Sequence, residues 1–365
     1  DVSQLLDERW RGLVGEGKVA SEIDFQGRRI RYGLRTKAGG NGADFVEDFA
    51  EVVGGEEGDT IDGGSLERVE GEFVVRLVSN RRLRPPPVFK EEGARVLPAH
   101  DENTCSMCAG NLRLALREQA AQVSLPKGRK WDLHFNISPL VREGHFLGVP
   151  DMSHKEGRRK QELLQSDCED MVHLHNSLPS YCVNFNAPGA GATQNHVHIH
   201  AWRQTFRYPV ETAPQLQGTE EWSVGECQIQ LLDYPASVVK LSSPRQAGSA
   251  EETGGVIFAL LEAAKIRGGV SWNVVLSRGD AYVFLRSGEK SDAIPGLTIG
   301  CAQLMGFWTV DTTAQFDTLR GGAIRDALTD TSVSTAVASE IVSAAVLTTR
   351  LLNHCLEDTD HKSSR

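Results

Sequence analysis

Long apolar runs are missing from this chain. No stretch approaches the ~20 residues that cross a bilayer, and no basic segment leads into an apolar one near residue 1. A membrane is therefore not an expected partner. An excess of positive charge is missing too: 39 basic against 49 acidic residues give a formal charge of -10. That balance argues against a general affinity for nucleic-acid backbone, so any bound phosphate needs a local site. Cysteine is sparse and odd in number, seven in 365 residues, which is not the framework of a disulfide-stapled secreted protein. A reducing, cytoplasmic location is expected. Because the numbering starts at Asp1 and not at Met, removal of a leader or transit peptide stays open.

The chain has enough apolar content, 40%, for an ordinary core, and its length suits two domains or one composite unit. Val2 to Leu13 reads as a helix. Ile30, Tyr32 and Leu34 alternate with charged neighbours as in a strand. Residues 39–65, rich in glycine and acids, read as a flexible insertion. Leu112 to Val123 is expected to be helical. Strands are expected at Trp131 to Pro139, His145 to Val149, Tyr181 to Phe185 and His196 to Trp202, with a helix from Glu162 to Ser177. Similar logic recurs later: a strand at Ala236 to Leu241, a helix at Val256 to Ile266, strands at Trp272 to Leu276 and Ala281 to Leu285, then an interrupted helix from Ala323 to Leu352. The expected class is α+β in two related halves, each an antiparallel sheet flanked by helices, the second half degenerate. The expected division is an N-terminal extension over 1–90, a catalytic half over 91–215 and a second half over 216–365.

The run Gly191-Ala-Thr-Gln-Asn-His-Val-His-Ile-His-Ala-Trp202 carries the chemistry. On a strand, His196, His198 and His200 share one face while Val197 and Ile199 enter the core. With 11 histidines, chance yields about 0.01 such triplets. Neutral imidazole is a competent nucleophile near pH 7 once one ring nitrogen is hydrogen bonded and the other left free. A purely structural metal site is the competing reading. The preceding loop, Asn186 to Gln194, supplies small residues that let backbone amides approach an anion; Asn186, Gly189, Gly191, Thr193 and Gln194 are its candidate substrate contacts.

Cys105-Ser-Met-Cys108 has the spacing of half a tetrahedral zinc site, or is two unrelated buried thiols. His154 and His196 are the candidate remaining ligands, with His145 as the alternative. Such a four-ligand site is closed and braces the strand instead of activating water. His134, His173 and His175 read as structural.

Together these motifs resemble the histidine-triad superfamily, in the branch holding galactose-1-phosphate uridylyltransferase, diadenosine tetraphosphate phosphorylase and the GDP-hexose phosphorylases. Val96-Leu-Pro-Ala-His-Asp101 with Cys105 to Asn111 is similar to the zinc-binding stretch of the uridylyltransferases. Phe135 to Pro150 and Phe206 to Pro214 are closer to the GDP-hexose phosphorylases, and Ser271 to Ser287 to the dinucleotide phosphorylases. The resemblance covers residues 97–214 best. It implies a HIT-like fold, zinc on Cys105, Cys108, His154 and His196, a nucleotide carried by His198, and phosphate contact by Thr193. A homodimer is expected from the same likeness. His200 departs from the pattern, because the uridylyltransferases and phosphorylases usually have glutamine there.

The expected activity is nucleotidyl transfer of phosphorylase type. A nucleoside diphosphate sugar or dinucleoside polyphosphate is cleaved through His198, with phosphate or a sugar 1-phosphate as acceptor and His200 aiding the leaving group. The alternatives are a hydrolase of the same bonds, motivated by His200, and a catalytically silent, zinc-braced nucleotide-binding module.

Overall fold

The protein is described as a computed structural model. Side chains are described for residues 2–9, 67–78, 99–101, 105, 107–108, 121–136, 139–141, 144–151, 158–243 and 250–351; backbone elements alone are described for 10–15, 19–23, 29–38, 44–52, 61–63, 119–120 and 352–363.

Helix α1 (Val2–Gly15) is followed by β1 (Val19–Ile23), β2 (Arg29–Ala38), β3 (Asp44–Val52) and β4 (Ile61–Gly63), which form a four-stranded sheet in that order. The expected flexible insertion therefore contains strand. Within it β3 pairs along β2 from Ile30↔Val52 to Ala38↔Asp44. Glycine content masked a long cross-strand register, which composition does not report. Next, β5 (Glu67–Glu70) and β6 (Phe73–Leu77) form a hairpin.

Five strands follow: β7 (Gln119–Ser124), β8 (Lys130–Phe135), β9 (His145–Pro150), β10 (Tyr181–Asn186) and β11 (Ile199–Arg203), with α2 (Gln165–Ser177) between β9 and β10. The end of the expected helix at 112–123 is thus a strand. Ala121 and Val123 are buried while Gln122 and Ser124 are exposed, a period of two that outweighs the helical preference of alanine. Residues 112–118 lie outside the described residues.

Five further strands repeat the plan: β12 (Trp222–Val224), β13 (Cys227–Leu231), β14 (Val238–Ser242), β15 (Ser271–Ser277) and β16 (Asp280–Arg286), with α3 (Ala250–Arg267) between β14 and β15. The ten strands form one sheet in the order β12-β13-β14-β16-β15-β10-β11-β9-β8-β7. Read outward from the β10·β15 junction, the two sections have the same connectivity. Finally α4 (Cys301–Leu304), β17 (Phe307–Val310), α5 (Thr313–Thr318), α6 (Gly321–Asp330) and α7 (Thr335–Ser363) close the chain, and β17 pairs in parallel with β6. The interrupted C-terminal helix resolves into α6 and α7.

Both faces of the large sheet are covered, so its central strands read as nearly continuous apolar runs. Tyr181, Val183 and Phe185 join the helix-side core with Met171 of α2 and Leu260 of α3. Cys182, Trp202, Val275 and Tyr282 join the opposite core with Phe73 and Trp308. The helices α2 and α3 meet at Gly254, where a Cβ would stand 2.6 Å from the Glu169 amide nitrogen. Among the described residues no helix is long and apolar enough to cross a membrane.

Candidate active site at the start of β11

Strand β11 begins at Ile199, so His200 lies on the strand while His196 and His198 precede it. The expected alternation still holds. Val197 and Ile199 are fully buried, and Ile199 and Ala201 enter the helix-side core, so His200 faces the opposite side with Trp202.

The His198 ring has its Nδ1 2.7 Å from the carbonyl oxygen of His196. A carbonyl only accepts, so Nδ1 carries the proton and Nε2 keeps its lone pair. That is the nucleophilic tautomer. The backbone of His198 is held by the buried side chain of Gln161: its N–H donates to Oε1 at 2.9 Å, and its carbonyl accepts from Nε2 at 3.2 Å.

His200 lies beside His145, with Nδ1 3.1 Å from His145 Nε2. The Leu140 amide donates to His145 Nδ1 at 3.0 Å, so the His145 proton resides on Nε2, which lies 3.1 Å from both His200 Nδ1 and Asn136 Nδ2. The third histidine offers an N–H donor.

The Cys105 to Cys108 turn packs on Leu147 and Val149 of β9, and Leu147 is directly opposite His200 in the register. Cys105 Sγ lies 3.5 Å and Cys108 Sγ 3.6 Å from His196 Nδ1, and Cys108 Sγ lies 3.5 Å from His100 Nε2. One ligand atom from each of His100, Cys105, Cys108 and His196 falls within 4.8 Å of the others, a group that could hold a metal ion. Burial, then the nearby His198, His100 and Arg159, depresses the His196 pKa to about 3, so its ring is neutral and able to ligate. His154 lies outside the described residues. His145 belongs to the His200 contact, away from the sulfurs.

The loop between β10 and β11 is clamped by the second half of the sheet. Asn186 Oδ1 accepts from Asn273 Nδ2 at 2.8 Å and from the Cys301 amide at 2.9 Å, and Asn273 Nδ2 also donates to Ala190 O at 2.7 Å. Asn273 is in turn bonded by the buried Arg286, whose guanidinium also reaches the carbonyls of Gly288, Ile299 and Thr331. Burial lowers the Arg286 pKa to about 10. Gly189 and Gly191 adopt left-handed φ of 75° and 99°. At Gly191 a Cβ would meet Gly300 Cα at 3.0 Å, so the close approach needs glycine as much as the dihedral does. The Gly191 amide donates to Glu289 at 2.9 Å, and Thr193 and Gln194 are half-buried further along the loop.

Sequence reasoning missed His100, Gln161, Asn273, Arg286 and Glu289. Only His100 had a readable signal, five residues before Cys105 in the stretch already likened to a zinc-binding segment.

The architecture is that of a HIT-like fold, and one stretch of the sequence is similar to known phosphorylases. An 81-residue stretch is 37% identical to GDP-D-glucose phosphorylase 1 of Homo sapiens, covering 22% of this chain and 20% of that protein, and 38% identical to the Bos taurus protein over the same length. The match thus spans about a fifth of the curated relatives' length. Yeast Ap4A phosphorylase superposes with a TM-score of 0.55 at 14% identity, covering 91% of this chain and 97% of the other; its complex with AMP gives 0.53 at 18%, covering 74% and 88%. No family model matches the chain.

Proposed function

We propose that this chain is a nucleotidyltransferase of phosphorylase type, with residues 91–215 as its catalytic half. The His198 tautomer carries the reading: a ring whose Nδ1–H is tied to a backbone carbonyl keeps its lone pair on Nε2. That nitrogen attacks the α-phosphorus of a nucleoside diphosphate sugar or dinucleoside polyphosphate. The P–O bond to the leaving phosphate breaks, and its electron pair departs on that oxygen. A phosphate oxygen then attacks the same phosphorus, the N–P bond breaks, and His198 is regenerated. A sugar 1-phosphate as acceptor is the close variant. GDP-hexoses are the first substrates to test, because the homologous stretch belongs to proteins named for GDP-D-glucose.

The N–H donor of His200 fits this reading, since a glutamine amide at that place would offer the same group. Its alternative is assistance to a water reaction, the hydrolase. The reading assigns a zinc ion to His100, Cys105, Cys108 and His196, with His100 in the role first given to His154. Zinc–sulfur and zinc–nitrogen bonds of ~2.3 and ~2.0 Å at tetrahedral angles put S and N about 3.5 Å apart, close to the 3.5 and 3.6 Å separations here. When bound, a closed zinc of this kind supplies rigidity and leaves no position for water.

Incubation with GDP-hexoses, ADP-glucose, UDP-glucose and Ap4A, with and without phosphate, tests the proposal. Nucleoside diphosphate formed from a nucleotide sugar only when phosphate is present is the expected result. No phosphate-dependent product from any of the four would sink it; monophosphate formed without phosphate would favour the hydrolase.

A further inference from the structure

The pairing of β10 with β11 runs from Tyr181↔Arg203 to Asn184↔His200. Continued by two residues, that register sets Asn186 opposite His198. The ladder stops short of this pair, and the side chain of Gln161 occupies the place of the missing bridge. Its Nε2 donates to Asn186 O at 2.9 Å and to His198 O at 3.2 Å, while its Oε1 accepts from the His198 amide at 2.9 Å. One carboxamide therefore satisfies both strand ends and keeps them apart.

The neighbours of Gln161 extend the same arrangement. The Val197 amide donates to Arg159 O at 3.0 Å, and the Gln161 amide donates to Asn195 Oδ1 at 3.0 Å. Residues 159–161 thus run beside residues 195–198 where the β10·β11 ladder has ended. Gln161 is only 1% exposed, so all three side-chain bonds lie in a dry setting where a lost partner is costly.

We infer that Gln161 is a positioning residue for the nucleophile. It fixes the His198 backbone beyond the end of the ladder, and through it the carbonyl of His196 that sets the His198 tautomer. The inference rests on the proposed role of His198. An apolar side chain of equal length would fill the space yet hold neither strand end. A glutamate would keep one acceptor and lose both donors. Since displacing a reacting group by about 1 Å can cost on the order of 100-fold in rate, the effect belongs in the transfer step and not in substrate affinity.

The experiment has two arms. In the unmodified full chain, hydrogen exchange of the His198 amide is measured by NMR; protection matching that of the β10 and β11 ladder is expected, and free exchange would overturn the inference. In Gln161→Met and Gln161→Glu, rapid-quench kinetics follow formation of the nucleotidyl adduct from whichever nucleotide the panel identifies. The expected result is a burst slowed about 10- to 100-fold with KM changed less than about threefold. An unchanged burst in a folded variant defeats the inference. Absence of any adduct in the parent chain would instead defeat the reading of His198, and amide protection would still decide what Gln161 does.

Discussion

The two sections of the large sheet share a connectivity and differ at one joint. Between β10 and β11 the chain makes the loop of residues 187–198. Between β15 and β16 it makes a two-residue turn, Arg278 and Gly279, with Ser277 opposite Asp280. The proposed chemistry sits at that joint. The long connection has room for an anion-sized loop and an imidazole at the strand entry; the tight turn has room for neither. In place of the triad, β16 carries Tyr282 and Phe284, both buried in the core. Arg286, at the end of β16, reaches the other section through Asn273 and thereby holds the loop from behind. In the proposed reading one section has the chemistry and the other holds it in place.

The strongest break in this comparison removes the proposed nucleophile. His198→Ala is expected to lower transfer by about a thousandfold or more and to abolish any mass adduct, as read by intact-protein mass spectrometry, while urea unfolding stays near that of the parent. Removal of the metal proposed at His100, Cys105, Cys108 and His196 comes next. Chelation, or Cys105→Ser, should raise amide exchange in β9, β11 and the loop but leave β15 and β16 protected. Equal loosening of both sections would show that the site does not brace the catalytic one.

Arg286→Met probes the support from the other side. It strips donors from Asn273 and three carbonyls in a dry core, which costs about 2–4 kcal/mol, measurable by urea unfolding. A loss of transfer rate larger than the loss of fold should accompany it.

His175 joins the sections directly, accepting from the Gly279 amide at 3.0 Å while its Nδ1 lies 3.1 Å from Tyr181 O. Burial lowers its pKa from 6.5 to about 4. The unfolded chain therefore takes up the proton first. The stabilisation is fully present above pH 6.5, falls as pH drops toward 4 and is constant below, a loss on the order of 3 kcal/mol. Thermal melts across this window should show it, and His175→Gln should flatten the dependence.

The smallest effect is expected at His200→Gln. A general acid is worth about 100- to 10,000-fold, whereas exchange of one N–H donor for another should cost less than about tenfold. A loss in the larger range would mean that His200 passes a full proton to the leaving group.

Much of this was legible along the chain, because the relevant signals are local. Alternation placed His196, His198 and His200 against Val197 and Ile199, since side chains on an extended backbone project with period two. The Cys105 and Cys108 spacing reported a half-site because a chelating turn needs two thiolates three residues apart. The strand entry was misjudged, because the core face continues through Val197 although the ladder does not. Gln161 has no motif, since a carboxamide that replaces a β-bridge differs in sequence from any surface glutamine. Asn273 and Arg286 act on a loop more than eighty residues away.

By itself, then, the sequence determined the reactive groups: the imidazoles, the thiol pair and the small-residue loop, all encoded within a few bonds of one another. Only the tertiary structure decided their roles. The His196 carbonyl chooses the tautomer of His198, and the fold brings His100 to Cys108. The physical reason is that a hydrogen bond acts over about 3 Å of space whatever the separation along the chain.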